Sequence, residues 1–124
     1  MKNKLTTCIV GVALFITVVM IFAACTSSRY ANASERNRNI ATQALNITDE
    51  FLDSEVSARD AYNRVDALAD IDRDGDRANG SIATDILLLR SALLNSSISD
   101  TNENWDTVLE RRNRIAEGLG LSAR

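Results

Sequence analysis

Between residues 40 and 68, apolar side chains recur in alternating steps of four and three. The series runs Ile40, Ala44, Ile47, Phe51, Ala58, Ala61, Val65 and Leu68, and Ser54 is its one polar position. Leu45, Leu52, Tyr62 and Ala69 widen the same face. Spacing of this kind draws one apolar seam along a helix, as in bundles and coiled coils. It predicts a single long helix from about residue 34 to 70, with a potential interruption at Asn46-Ile47-Thr48. The alanines along the seam let helices approach closely but bury little area each.

A run dense in Asp and Gly, from Asp70 to Gly80, ends that helix. Ser81 is then positioned to cap a second helix, predicted over about 81–95. Ile82, Ile86, Leu89 and Leu93 keep the four-three spacing, while Leu87, Leu88 and Leu94 make this helix apolar nearly all round, as expected of a covered, central element. Asp100-Thr101-Asn102-Glu103 has the spacing of a capping box and opens a third helix over about 101–118. Its apolar face holds Trp105, Val108, Leu109, Ile115, Ala116 and Leu119, which assigns Trp105 to the core in preference to an interface anchor. Glu110 and Arg114 stand at i,i+4 as a helix-face pair, and Gly118 and Gly120 weaken the end, leaving 121–124 as a frayed tail. The fold expected for 34–121 is therefore all-α, a small antiparallel three-helix bundle or a long helical hairpin. A core this thin makes self-association through the Ala-rich seam an expectation as well.

The N-terminus follows a different pattern. Lys2 and Lys4 precede an uncharged apolar run from Leu5 to Ala24. About 20 such residues can span a bilayer core as a helix. The run ends in Phe22-Ala23-Ala24-Cys25, followed by Thr26-Ser27-Ser28. That sequence resembles the bacterial lipobox, whose pattern is an aliphatic residue, two small residues and a cysteine. The resemblance implies cleavage before Cys25, lipidation of its thiol, and a flexible tether over 25–33. Phe22 departs from the usual leucine. An uncleaved anchor helix over 1–24 is the competing reading, and the basic residues on both sides of the run do not choose an orientation. Both readings place the helical part outside the cytoplasm. The order of cysteine, tether and helix is similar to that of small helical bacterial lipoproteins of the Braun type, in architecture only: Arg124 stands where that type carries a lysine.

One segment carries a chemical lead. Asp70-Ile71-Asp72-Arg73-Asp74-Gly75-Asp76 resembles the first half of an EF-hand or dockerin-like calcium loop. Such a loop takes oxygens from positions 1, 3 and 5, a glycine at 6 and a backbone carbonyl at 7. The resemblance makes Asp70, Asp72, Asp74 and Asp76 candidate calcium residues. Its second half departs, with Arg77 at position 8 and Ser81 at position 12, where a bidentate carboxylate closes the sphere. A site so built would be weak, on the order of 10⁻⁴–10⁻³ M. An Asp-rich turn bonding its own backbone is the alternative.

Composition narrows the functions. The 124 residues carry a formal charge of −3, with 17 acids, and the only lysines lie in the leader. The other twelve basic residues are all arginine, leaving the rest of the chain acidic and without a global field for nucleic acid. An arginine-only choice can favour bidentate carboxylate pairing, but genome base composition is the preferred account of it. The basic cluster Arg111-Arg112-Asn113-Arg114 could touch anionic lipid, but Glu110 and Glu117 flank it, which favours a solvated helix face. There is no His, and both cysteines, Cys8 and Cys25, belong to the leader. A disulfide framework and a Cys-based zinc site in the helical part are thereby excluded. No nucleophile–base pair or phosphate loop can be assembled, so an enzyme is not expected. The function expected is structural or protein-interaction work at a membrane, by a lipoprotein with a protein partner or copies of itself. The alternatives are a weak calcium-binding helix-loop-helix module and a single-pass accessory or sensor protein.

Overall fold

The computed structural model describes residues 28–124, and over these the chain is all-helical. The leader, with its lipobox-like Cys25, lies outside the described residues. Four helices follow one another: α1, Glu35–Leu52; α2, Ala58–Asp66; α3, Arg77–Ile98; and α4, Asn102–Gly118. No helix among the described residues is long and apolar enough to cross a membrane.

The expected first helix is two helices. The chain leaves α1 through Asp53 and Ser54, and Ser54 has φ 62. Ser57 then caps α2 by accepting the Asp60 N–H at 3.1 Å. The apolar phase happens to continue across this break, so periodicity alone reads through it. The break falls at 53–57, beyond Asn46-Ile47-Thr48, where Thr48 is buried and bonds the Ala44 carbonyl at 2.8 Å inside an intact helix. The second expected helix starts earlier, because Asp76 and not Ser81 is its cap, with Oδ1 accepting the Ala78 N–H at 2.9 Å. At α4 the cap is Thr101 in place of Asp100, through the Asn104 N–H.

The helices run up, down, up and down. Asn37 near the start of α1 meets Asn79 near the start of α3, so these two are parallel. Tyr30, ahead of α1, bonds the Gly118 carbonyl at the end of α4, so α4 runs against them. The end of α2 returns beside Ile40 of α1. Among the helix pairs, only α2 and α4 do not touch. Helix α3 meets all three others, as its apolar composition requires, with Ile82, Leu89 and Leu93 fully buried. The core adds Ala41, Ala44, Ala61, Val65, Val108, Ile115 and Ala116. The Ala-rich seam is thus covered within one chain, with Ala44 and Ala61 both at 0% exposure. Trp105 is more exposed than its assignment to the core allows, because it sits in the first turn of α4 at the rim of the bundle.

Of the two chain segments expected to be loose, the first is packed and the second is exposed but held by polar contacts. Residues 28–33, assigned to the tether, form turns that bury Tyr30 completely and Ala33 nearly so. Tyr30 donates its N–H to the Gly118 carbonyl at 2.9 Å, and its ring packs closely against that glycine. A Cβ at Gly118 would meet ring carbons at 2.5 Å. The glycine therefore makes room for the ring, and helix fraying is not its role. The tail is held by Arg124, whose guanidinium pairs with Asp49 at 3.1 Å and with Asp53.

Gly118→Ala should lower stability by about 1–3 kcal/mol through overpacking. Gly80→Ala, with open space around its Cβ, should raise it by about 0.5–1 kcal/mol through helix propensity. Thermal unfolding of the full chain in detergent, followed by circular dichroism, reads both. A stabilised Gly118 variant would contradict the close approach of Tyr30.

Candidate functional site

The polar chemistry of the domain gathers at the end of the bundle where the described chain begins. Asp85 lies on the inner side of α3, about 4% exposed. A buried carboxylate needs several donors to offset its lost hydration. Three side chains supply them. Arg29 Nη2 donates to Oδ2 at 2.7 Å, the Tyr30 hydroxyl donates to the same oxygen, and Arg114 Nε of α4 donates to Oδ1 at 2.9 Å. Arg29 also bonds the Arg114 carbonyl at 2.9 Å, and its guanidinium lies 4.9 Å from the centre of the Tyr30 ring, at cation–π distance. Burial, and then the hydrogen bond to Asp85, push the Tyr30 phenol well above its ordinary pKa, so it stays a proton donor to the carboxylate. Arg114 is thus taken across the bundle to Asp85, in place of the helix-face pair expected with Glu110.

Beside this node, the Asp-rich loop is strapped to α1. Asn37 is fully buried and Asn79 nearly so. Asn37 Nδ2 donates to the Asp72 carbonyl at 2.7 Å and to Asn79 Oδ1 at 2.8 Å, while Asn79 Nδ2 donates to the Asp74 carbonyl at 2.9 Å. Arg36 reaches the Asp70 carbonyl at 3.0 Å. Of the candidate calcium residues, Asp72 accepts the Asp74 N–H at 3.0 Å, and Asp76 is the cap of α3. Gly75 takes φ 91, the left-handed turn that glycine allows at loop position 6. The side chains of Asp70, Asp72, Asp74 and Asp76 do not converge: no group of three or more His, Cys, Asp or Glu side chains among the described residues is gathered as a metal would require.

A second ion-pair cluster fastens the other face of α4. Arg112 spans Asp49 with Nε to Oδ1 at 2.8 Å and Nη2 to Oδ2 at 3.1 Å, the two-pronged fit that arginine makes to a carboxylate. Its Nη1 bonds the Ser122 carbonyl at 2.9 Å, and Arg124 joins the same carboxylate. Burial alone would raise the Asp49 pKa, but the hydrogen bonds from Arg112 and Arg124 outweigh it and hold the group below its usual value. Neither Asp85 nor Asp49 is marked by its neighbours in the sequence. Their partners stand 29 to 75 residues away.

No family model, curated protein or solved structure matches this chain.

A depressed folded pKa makes the Asp49 contribution complete above the unfolded value, near 3.9, and lost as pH falls through the folded value. Asp49→Asn should therefore melt below the parent at neutral pH, and the gap should close as pH drops below about 4. A gap that stays constant to low pH in thermal melts would count against the pairing.

Proposed function

We propose that the chain is a membrane-tethered helical protein that works outside the cytoplasm, held by lipid on Cys25, and serves as a structural or protein-interaction module. The observation that carries this reading is the uncharged run Leu5 to Ala24 closing on Phe22-Ala23-Ala24-Cys25 behind a basic start. The packing of the domain supports it in one respect. Tyr30, five residues after Cys25, is fixed to the end of the bundle, and an extended chain covers at most about 18 Å over that distance. The tether is therefore short, and one end of the bundle faces the membrane. The opposite end carries Ile98, 72% exposed, and Trp105, 37% exposed, on either side of the connector between α3 and α4. Apolar side chains held out at the end away from the membrane suit contact with a protein partner.

Mass spectrometry of the mature protein from membranes tests the tether. The expected species begins at Cys25 and carries lipid, and palmitate-analogue labelling disappears in Cys25→Ser. A chain that keeps Met1 to Ala24 without label would instead make the run a membrane anchor and the protein a single-pass accessory or sensor subunit.

A further inference from the structure

At the tether end, an open groove of about 430 Å³ is lined by Arg29, Arg73, Arg77 and Arg114, with Ser81 and Thr84 of α3 along its floor. The arginines come from four separate stretches: the N-terminal turn, the loop before α3, the start of α3, and α4. The one carboxylate in the lining is Asp85, whose oxygens already accept from Arg29, Tyr30 and Arg114. Arg73 and Arg77 are exposed, and their guanidinium groups have no hydrogen-bond or ion-pair partner among the described residues. Arg29 Nε is buried and likewise without an acceptor. The acids next to them in sequence lie outside the groove, and Asp72 and Asp76 are turned to backbone N–H groups. Donors therefore outnumber acceptors in the groove lining.

We propose that this groove seats the phosphate of an anionic phospholipid headgroup and thereby sets the bundle upright on the membrane. The inference rests on the tethered reading above. Arg29 follows Cys25 by four residues, which keeps the groove within about 14 Å of the lipidated position along an extended chain. Guanidinium groups match phosphate oxygens in charge and in planar donor geometry. Each basic residue near an anionic surface adds roughly five-fold to the attraction. Within the groove lining four arginines face a single carboxylate, in a chain that is acidic overall, so headgroup contact there selects an orientation rather than holding the domain by any face.

The test uses the full chain in nanodiscs of phosphatidylcholine, with and without phosphatidylglycerol. Arginine modification by phenylglyoxal is read residue by residue by mass spectrometry. Phosphatidylglycerol should slow modification of Arg73 and Arg77 several-fold and leave Arg59, exposed at the opposite end on α2, unchanged. Equal rates at Arg73 and Arg77 in both discs would overturn the proposal, as would equal protection of Arg59. Inorganic phosphate giving the same protection in phosphatidylcholine discs would assign the groove to free phosphate and also overturn it. A chain that fails to enter the discs at all would instead refute the tether, and the orientation with it.

Discussion

The arrangement depends on one buried carboxylate. Asp85 sits inside the bundle on α3, and burying its charge is tolerable only because Arg29, Tyr30 and Arg114 all donate to it. Removing one partner leaves the buried carboxylate short of a donor, at a cost of about 1–3 kcal/mol, although a well-packed apolar replacement of the whole cluster can be neutral. The cluster is therefore better understood as a register device than as a store of stability. It lets α3 meet α4 at one position, and it requires the chain ahead of α1 to fold back onto both. The Tyr30 ring then demands the absence of a side chain at Gly118, so the node also fixes how α4 ends.

The second cluster does the same for the other end of the sequence. Asp49 on α1 collects Arg112 and Arg124, and so ties the last residue to the first helix. All ion pairing among the described residues thus runs through guanidinium groups, which can serve a carboxylate with two parallel donors while bonding carbonyls with the rest. That gives the arginine-only composition of the helical part a structural use, whatever its origin in base composition. The Asp-rich loop is held mainly through its backbone, by Asn37, Asn79 and Arg36, which leaves the Asp72 and Asp76 carboxylates to a turn and a cap.

Helical content and most of the core were legible in the chain, because four-three apolar spacing survives wherever a helix is half-buried. Ile40, Ala44, Ala61, Val65, Ile82, Leu89, Leu93, Val108 and Ile115 all fall in the core as the spacing requires. The division of the first helix was hidden by the apolar phase continuing across Ser54. The local signal was Ser57 with Asp60 three residues on, a helix start placed where the seam seemed unbroken. Ser34 before Asn37 is the same kind of signal and does open α1. The Asp85 node could not be read in this way. Its partners are 55, 56 and 29 residues distant, and no local spacing ties them to it. Likewise, residues 28–33 have the composition of a linker, and only the placement of Tyr30 against Gly118 reveals a packed turn.

Under the proposed tether, a domain whose first described turn is part of its core has its membrane-facing end chosen in advance. The short stretch from Cys25 to Tyr30 would turn that choice into an orientation, which is the common ground of the tether, the arginine groove and the outward Ile98 and Trp105. The measurement that bears most directly on this is hydrogen exchange at the Tyr30 amide, which donates to the Gly118 carbonyl. If the turn is part of the cooperative core, that amide exchanges as slowly as the central amides of α3, through global unfolding. Exchange at the rate of an unprotected chain, with α3 still protected, would show residues 28–33 to be a loose linker and contradict the account.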